Sequence, residues 1–227
     1  QNKIAIEQLI ASEKESDLIV LPEMFTTGFS MEPNAIAETM DGSTISWMKE
    51  ISAQKNVAVC GSIVINENNN HYNRFVFTTP NKEVYTYDKR HLFTLAGEHK
   101  RYTAGQERTI IHYKGWKICP QICYDLRFPV WSRYDNDYEL LIYVANWPKP
   151  RIAAWDTLLR ARAIENMTYT VGVNRVGIDP NQNEYIGSSK VFDFLGKEQA
   201  NIPLSKECVK TVTLSKVELE SVREKFN

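Results

Sequence analysis

The chain of 227 residues carries 27 Lys and Arg against 28 Asp and Glu, a formal net charge of −1, with 43% hydrophobic and 24% charged residues. This length suits one domain with a substantial core, and the composition excludes a disordered chain. So small a net charge, with its basic residues scattered, leaves no electrostatic footprint for nucleic acid or an acidic membrane.

No apolar run approaches the roughly 18 residues of a membrane span. The opening residues lack the apolar core and small-residue cleavage site of a signal peptide. One domain over residues 1–227 of a cytoplasmic protein is therefore expected. Ile6, Leu9 and Ile10 recur at helical spacing and predict an amphipathic helix over 2–15. A buried strand follows at 17–21. A domain that opens inside a helix is expected to lack an initial strand.

Asp41-Gly42-Ser43 supplies a start signal for a helix over 43–55, with Ile45, Trp47, Met48 and Ile51 inward. Strands are expected at 57–65 and 73–79, joined by a polar turn through Asn66–His71, and at 83–88. Residues 91–108 read as a long loop, and a loop of that length inside a compact domain usually carries function. Strands at 109–113 and 116–122, a helix over 127–136 and a buried strand at 139–145 come next. An amphipathic helix over 153–166, strands at 169–175, 187–193 and 208–214, and a short helix over 215–226 complete the chain. The segments 17–23 and 139–148 resemble each other, each an apolar run ending beside a proline, which hints at a two-fold arrangement of sheets.

The chemistry gathers at three strand ends. The run Lys117-Ile118-Cys119-Pro120-Gln121-Ile122-Cys123 stops at a thiol, Leu18-Ile19-Val20-Leu21-Pro22-Glu23 at a carboxylate, and Val84-Tyr85-Thr86-Tyr87-Asp88-Lys89 at an ammonium. Amide cleavage needs a nucleophile, a group to protonate the amine leaving group, and positive charge where an oxyanion develops. Cys123, Glu23 and Lys89 match those needs. With Asp125 opening a helix, the Cys123 thiol is expected at a helix N-terminus, whose dipole favours a thiolate.

The other cysteines, Cys60, Cys119 and Cys208, suit core filling. Four cysteines are too few to staple the chain, so a reducing compartment is expected. No zinc spacing is present, and neither a metal nor a cofactor is expected. His71, His91, His99 and His112 all precede Cys123 at turn-like or edge positions, and none has a strand-end setting like that of Glu23. Signatures of serine hydrolases, nucleotide-binding loops and zinc proteases are absent.

Leu21-Pro22-Glu23-Met24-Phe25, Tyr87-Asp88-Lys89-Arg90-His91-Leu92-Phe93 and Ile122-Cys123-Tyr124-Asp125-Leu126-Arg127-Phe128-Pro129 resemble, in order, the three signature segments of the nitrilase superfamily of carbon–nitrogen hydrolases. The resemblance implies a four-layer α-β-β-α sandwich that dimerises by stacking sheet on sheet. It implies Cys123 as nucleophile, Glu23 as general base and acid, and Lys89 with the Tyr124 backbone N–H as oxyanion stabilisers. Glu98 matches a second glutamate near the site.

Cys-Tyr-Asp-Leu-Arg-Phe-Pro, together with Met24–Phe29 and Val144–Pro148, is similar to the bacterial omega-amidase branch. That branch implies hydrolysis of the terminal amide of 2-oxoglutaramate and 2-oxosuccinamate through a cysteine thioester. Alternatives are an N-carbamoyl amidohydrolase, a nitrilase, or a non-catalytic interaction module. Phe29 and Trp147 are candidates for pocket walls. Arg90, Arg101, Arg127 and Arg175 are candidates for holding a substrate carboxylate, and the sequence does not choose among them.

Overall fold

The structure, a computed structural model, describes residues 2–11 and 16–226. Its elements in order are α1 (Asn2–Ala11), β1 (Leu18–Val20), α2 (Pro33–Ile36), α3 (Ser43–Lys55), β2 (Ala58–Glu67), β3 (Asn70–Thr78), β4 (Val84–Asp88), β5 (Ile111–Tyr113), β6 (Trp116–Ile122), β7 (Leu140–Ala145), α4 (Ile152–Asn166), β8 (Tyr169–Asn174), β9 (Val176–Ile178), β10 (Glu184–Ile186), β11 (Lys190–Phe192) and α5 (Lys216–Phe226). The last four positions of the helix expected over 2–15 lie outside the described residues.

One sheet has the order β1-β2-β3-β4 and a second the order β11-β8-β7-β6-β5, with β9 and β10 forming a separate hairpin. Alternation along the strands sorts side chains between the layers. Ala58, Cys60, Phe75 and Phe77 of the first sheet meet Ile118, Ile122, Ile142 and Val144 of the second in one buried cluster. The intervening residues face outward. Val59, Ile63 and Val76 pack under Ile45, Trp47, Met48 and Ile51 of α3, with Ile10 of α1. Leu141 and Tyr143 pack under Trp155, Leu159 and Ala163 of α4. The chain is thus the expected four-layer α-β-β-α sandwich. Burying each large apolar side chain contributes roughly 1.5–3 kcal/mol.

Local chemistry sets the boundaries. The β2–β3 hairpin turns on Asn68 and Asn69, at φ 52° and 62°, a pair suited to a two-residue primed turn. α3 stops at Asn56, φ 54°, whose N–H closes onto the carbonyls of Ser52 and Ala53. α4 lies close on β8 because position 172 is glycine: a Cβ there would stand 2.4 Å from Leu159 and 2.7 Å from Trp155.

Several expectations need correction. Residues 127–136 form turns, not a helix. Pro129 disfavours helical backbone at the preceding residue, and Phe128 adopts φ −117°, ψ 85°. The strand expected at 208–214 pairs with no strand among the described residues, although its exposure still alternates in part. Such a pattern reports a half-buried face, not a neighbouring backbone. Cys208 is exposed rather than core filling, whereas Cys60 and Cys119 are fully buried. The strand expected at 187–193 shrinks to Lys190–Phe192, and the β9–β10 hairpin was not foreseen. The two sheets stack on each other within the chain.

Candidate active site

Glu23 lies just beyond β1, where the chain still runs beside β2: Leu21 N–H donates to the Cys60 carbonyl at 2.7 Å. Immediately afterwards Met24 adopts φ 43° and its N–H donates to Ser62 Oγ at 2.9 Å. This reversal leaves Glu23 1% exposed. Its Oε1 accepts from Lys89 Nζ at 2.9 Å and Asn73 Nδ2 at 2.8 Å. Its Oε2 accepts from the Asn146 backbone N–H at 2.8 Å.

Lys89 follows β4, tied to β3 by its N–H donating to the Asn73 carbonyl at 3.0 Å. Its ammonium also donates to both oxygens of Glu98, at 3.1 and 3.0 Å. The long loop over 91–108 supplies Glu98 through two short 3-10 turns, Thr94–Ala96 and Glu98–Lys100. Phe93 N–H donates to Glu98 Oε2 at 2.5 Å, which locks the carboxylate to the loop that carries it. The Phe29 ring faces the ammonium, its centroid 5.5 Å from Nζ.

Cys123 opens a 3-10 turn, Cys123–Arg127, directly after β6 and holds a left-handed φ of 45°. A non-glycine residue there costs on the order of 1–3 kcal/mol and persists only where its surroundings impose it. Asp125 imposes it. Its Oδ2 accepts from Tyr87 OH at 2.7 Å and Ile122 N–H at 3.0 Å, while its Oδ1 accepts from His91 N–H at 2.9 Å and lies 2.8 Å from His91 Nδ1. His91 stacks flat on Phe128, centroids 3.7 Å apart. Arg162, buried on α4, donates to the Leu126 carbonyl at 2.6 Å. The turn is thereby braced from β4, the long loop and α4.

The electrostatics correct one expectation. The short turn is not a long helix with a dipole, and the Cys123 thiol is not pushed toward thiolate. Burial and the charges of Glu23 and Glu98 raise its pKa well above the ordinary thiol value, outweighing Lys89 and the Asn146 N–H. Burial would raise Glu23 as well, yet Lys89 and the donors from Asn146 and Asn73 hold it below the ordinary carboxylate value. Glu98 moves the other way: burial and the neighbouring Glu23 charge outweigh Lys89. Lys89 is driven up by Glu23 and Glu98 despite its own burial. The resting site therefore combines a neutral thiol, a carboxylate at Glu23 and an ammonium at Lys89.

Glu23, Lys89, Glu98 and Phe29 converge, and Cys123 lies within electrostatic reach of all three charged groups. The Tyr124 ring packs edge-on to Phe93 and Phe128 at 5.1 and 5.2 Å. Trp147 is buried in the core under α4, its ring 5.6 Å from Trp155. Arg127 is exposed and lies over that Trp147 ring at 5.2 Å. Arg175 lies over the Tyr185 ring at 4.7 Å. Sequence reasoning missed Asn73, Asn146 and Asp125 as supports. Only Asn146 carried a signal, as the polar residue ending an apolar strand.

A family model described as carbon–nitrogen hydrolase matches residues 2–224. An omega-amidase of Yersinia enterocolitica is 46% identical over 222 residues, covering 97% of this chain and 86% of its own length. A 2-oxoglutaramate amidase of Bacillus subtilis is 35% identical over 189 residues, covering 81% and 73%. Among solved structures, a carbon–nitrogen hydrolase superfamily protein from Xanthomonas campestris is 45% identical and superposes with a TM-score of 0.95, covering 99% of this chain and 88% of that one.

Proposed function

This chain belongs to the carbon–nitrogen hydrolase family, and we propose that it is a thiol-dependent omega-amidase releasing ammonia from small omega-amido acids such as 2-oxoglutaramate and 2-oxosuccinamate. The observation that carries the reading is the Lys89 ammonium held between Glu23 and Glu98, at 2.9 to 3.1 Å, in reach of the Cys123 thiol.

In this proposal Cys123 Sγ attacks the amide carbon as its proton passes to Glu23. The carbonyl oxygen becomes an oxyanion against Lys89 Nζ and the Tyr124 N–H. Glu23 gives the proton to the departing nitrogen, and ammonia leaves a thioester. Water then attacks the thioester while Glu23 takes its proton, and that proton returns to sulfur as the acid departs. Because the resting thiol is neutral, attack and proton transfer are coupled, which requires Glu23 to be ionised beforehand. A pKa held below the ordinary carboxylate range meets that requirement.

The test is ammonia release from 2-oxoglutaramate, an N-carbamoyl amino acid and an aliphatic nitrile. The first should be turned over with the highest kcat/KM, and Cys123→Ala should abolish turnover. Preference for the carbamoyl compound or the nitrile would replace this reading with the corresponding hydrolase. Activity surviving in Cys123→Ala would remove the nucleophile assignment. The expected homodimer belongs to the same proposal, and sedimentation checks it.

A further inference from the structure

An omega-amido acid presents a carboxylate at the end away from the reacting amide. Burying part of that charge requires a cation without a carboxylate of its own. Several arginines are already committed: Arg74 pairs with Glu67 and Asp88, Arg162 pairs with Glu165, and Arg90 is held by the Gly105 carbonyl and Gln106. Arg175 differs. Among the described residues it has no ion pair, and its side chain donates only to the neighbouring Val176 carbonyl at 3.3 Å.

The position of Arg175 is built. It follows Asn174 at the end of β8, and Asn174 Oδ1 accepts from Trp147 N–H at 2.7 Å, one residue beyond the Asn146 that holds Glu23. The guanidinium is half-buried between two surfaces. On one side lies the Tyr185 ring, fixed by its hydroxyl donating to Asp179 Oδ2 at 3.0 Å. On the other lies Gly28, where a Cβ would come within 2.8 Å of the Arg175 terminal nitrogen. Gly28 also adopts φ +74°, so both its backbone and this contact call for glycine. Its neighbour Phe29 faces the Lys89 ammonium. The Gly28–Phe29 step thus joins the guanidinium to the Lys89 ammonium, so the cation borders the same site.

We propose that Arg175, seated between Tyr185 and Gly28 without an ion-pair partner, receives the distal carboxylate of the omega-amido acid and sets the preference for charged over neutral amides. This rests on the omega-amidase reading. Arg127 and Arg151 are its rivals, neither with an ion pair among the described residues: Arg127 lies over the Trp147 ring at 5.2 Å, and Arg151 over the Phe93 ring at 5.0 Å on the Glu98 side of the site.

The experiment compares kcat/KM for 2-oxoglutaramate with kcat/KM for uncharged pentanamide in the full chain. Arg175→Gln should lower that ratio by about 10²-fold, mainly through KM for the acid, as expected for truncating one partner of a desolvated charge pair. Arg175→Lys should fall between, since the ammonium keeps the charge and loses the planar fork. Arg151→Gln should leave the ratio within about threefold. A second measurement needs no turnover: glutarate should slow alkylation of Cys123 by iodoacetamide in the unsubstituted protein, and that protection should vanish in Arg175→Gln. An unchanged ratio and retained protection in Arg175→Gln, or both effects following Arg151→Gln instead, would overturn the proposal. If protection depends on Arg175 while 2-oxoglutaramate is not hydrolysed, the omega-amidase reading fails and the carboxylate site stands.

Discussion

Asn146 ties Glu23 in place three times: its backbone N–H donates to Oε2 at 2.8 Å, and its side-chain amide donates to the Glu23 carbonyl at 2.7 Å and to Oε2 at 3.2 Å. Glu23 ends the β1 run of one sheet and Asn146 ends β7 of the other. The two segments that resemble each other in sequence thus meet at their ends, where the seam between the sheets becomes the candidate active site.

Asn146→Ala should keep the backbone donor and lose the two side-chain bonds. Hydrogen bonds to a charged group contribute about 1.5–3 kcal/mol. If that support is expressed in the transition state, kcat/KM should fall about 10- to 10²-fold. Glu23 would keep the backbone donor that lowers its pKa and lose the side-chain donor to Oε2, so the acid limb of the pH–rate profile should move slightly up toward the ordinary carboxylate value of 4.5. A variant with an unmoved acid limb would show that Asn146 does not govern Glu23.

Lys89 neutralises two buried carboxylates at once. Lys89→Met should therefore cost stability as well as activity, since stripping the partner from a buried charge costs about 3–5 kcal/mol. Losing an oxyanion donor typically lowers the rate by about 10²–10³. The double variant Lys89→Met/Glu98→Gln should regain part of the stability and none of the activity. Urea unfolding beside an ammonia assay separates the two effects. Equal stability in the single and double variants would sink the shared-charge account.

Much of this candidate site was legible because Glu23, Lys89 and Cys123 sit at the ends of apolar runs, and a chemical side chain at a strand end is a local pattern. α3 was readable residue for residue from its start signal and from the spacing of Ile45, Trp47, Met48 and Ile51. Asp125 was not legible as a brace, since its four contacts come from Tyr87, Ile122 and His91, two of them more than thirty positions away. The expected helix at 127–136 failed because Pro129 and the His91–Phe128 stack hold the backbone elsewhere. Residues 208–214 failed for a different reason: alternation shows which side is half-buried and is silent about a pairing strand.

Asp125→Ala should damage the fold as well as the turn that carries Cys123. It removes the acceptor for Tyr87 OH, Ile122 N–H and His91 N–H, and each buried donor left unpaired costs about 1–3 kcal/mol. The left-handed backbone at Cys123 would lose its support at the same time. Thermal unfolding should fall by well over ten degrees, or folded protein should not accumulate, given typical margins of about 5–15 kcal/mol. Asp125→Ala melting within a few degrees of the unsubstituted protein would show that the turn holds itself.

Glu23 and Glu98 should pull the pH dependence of stability in opposite directions. The folded pKa of Glu23 is lowered, so the folded state binds fewer protons there than the unfolded chain. Its contribution is present above the ordinary value of 4.5 and is lost as pH falls through the lower folded value. The folded pKa of Glu98 is raised, so its contribution is present below 4.5 and is lost as pH rises through the raised value. In the intact site the two slopes oppose each other. Glu98→Gln removes the opposing slope and also removes a like charge beside Glu23, which holds the Glu23 pKa lower still. Stability should then fall more steeply with acid in Glu98→Gln than in the unsubstituted protein. Urea unfolding free energies from about pH 7 down to about pH 4 read that slope directly. A slope equal to or shallower than that of the unsubstituted protein would mean that the folded site does not raise Glu98 and that it sets no slope against Glu23.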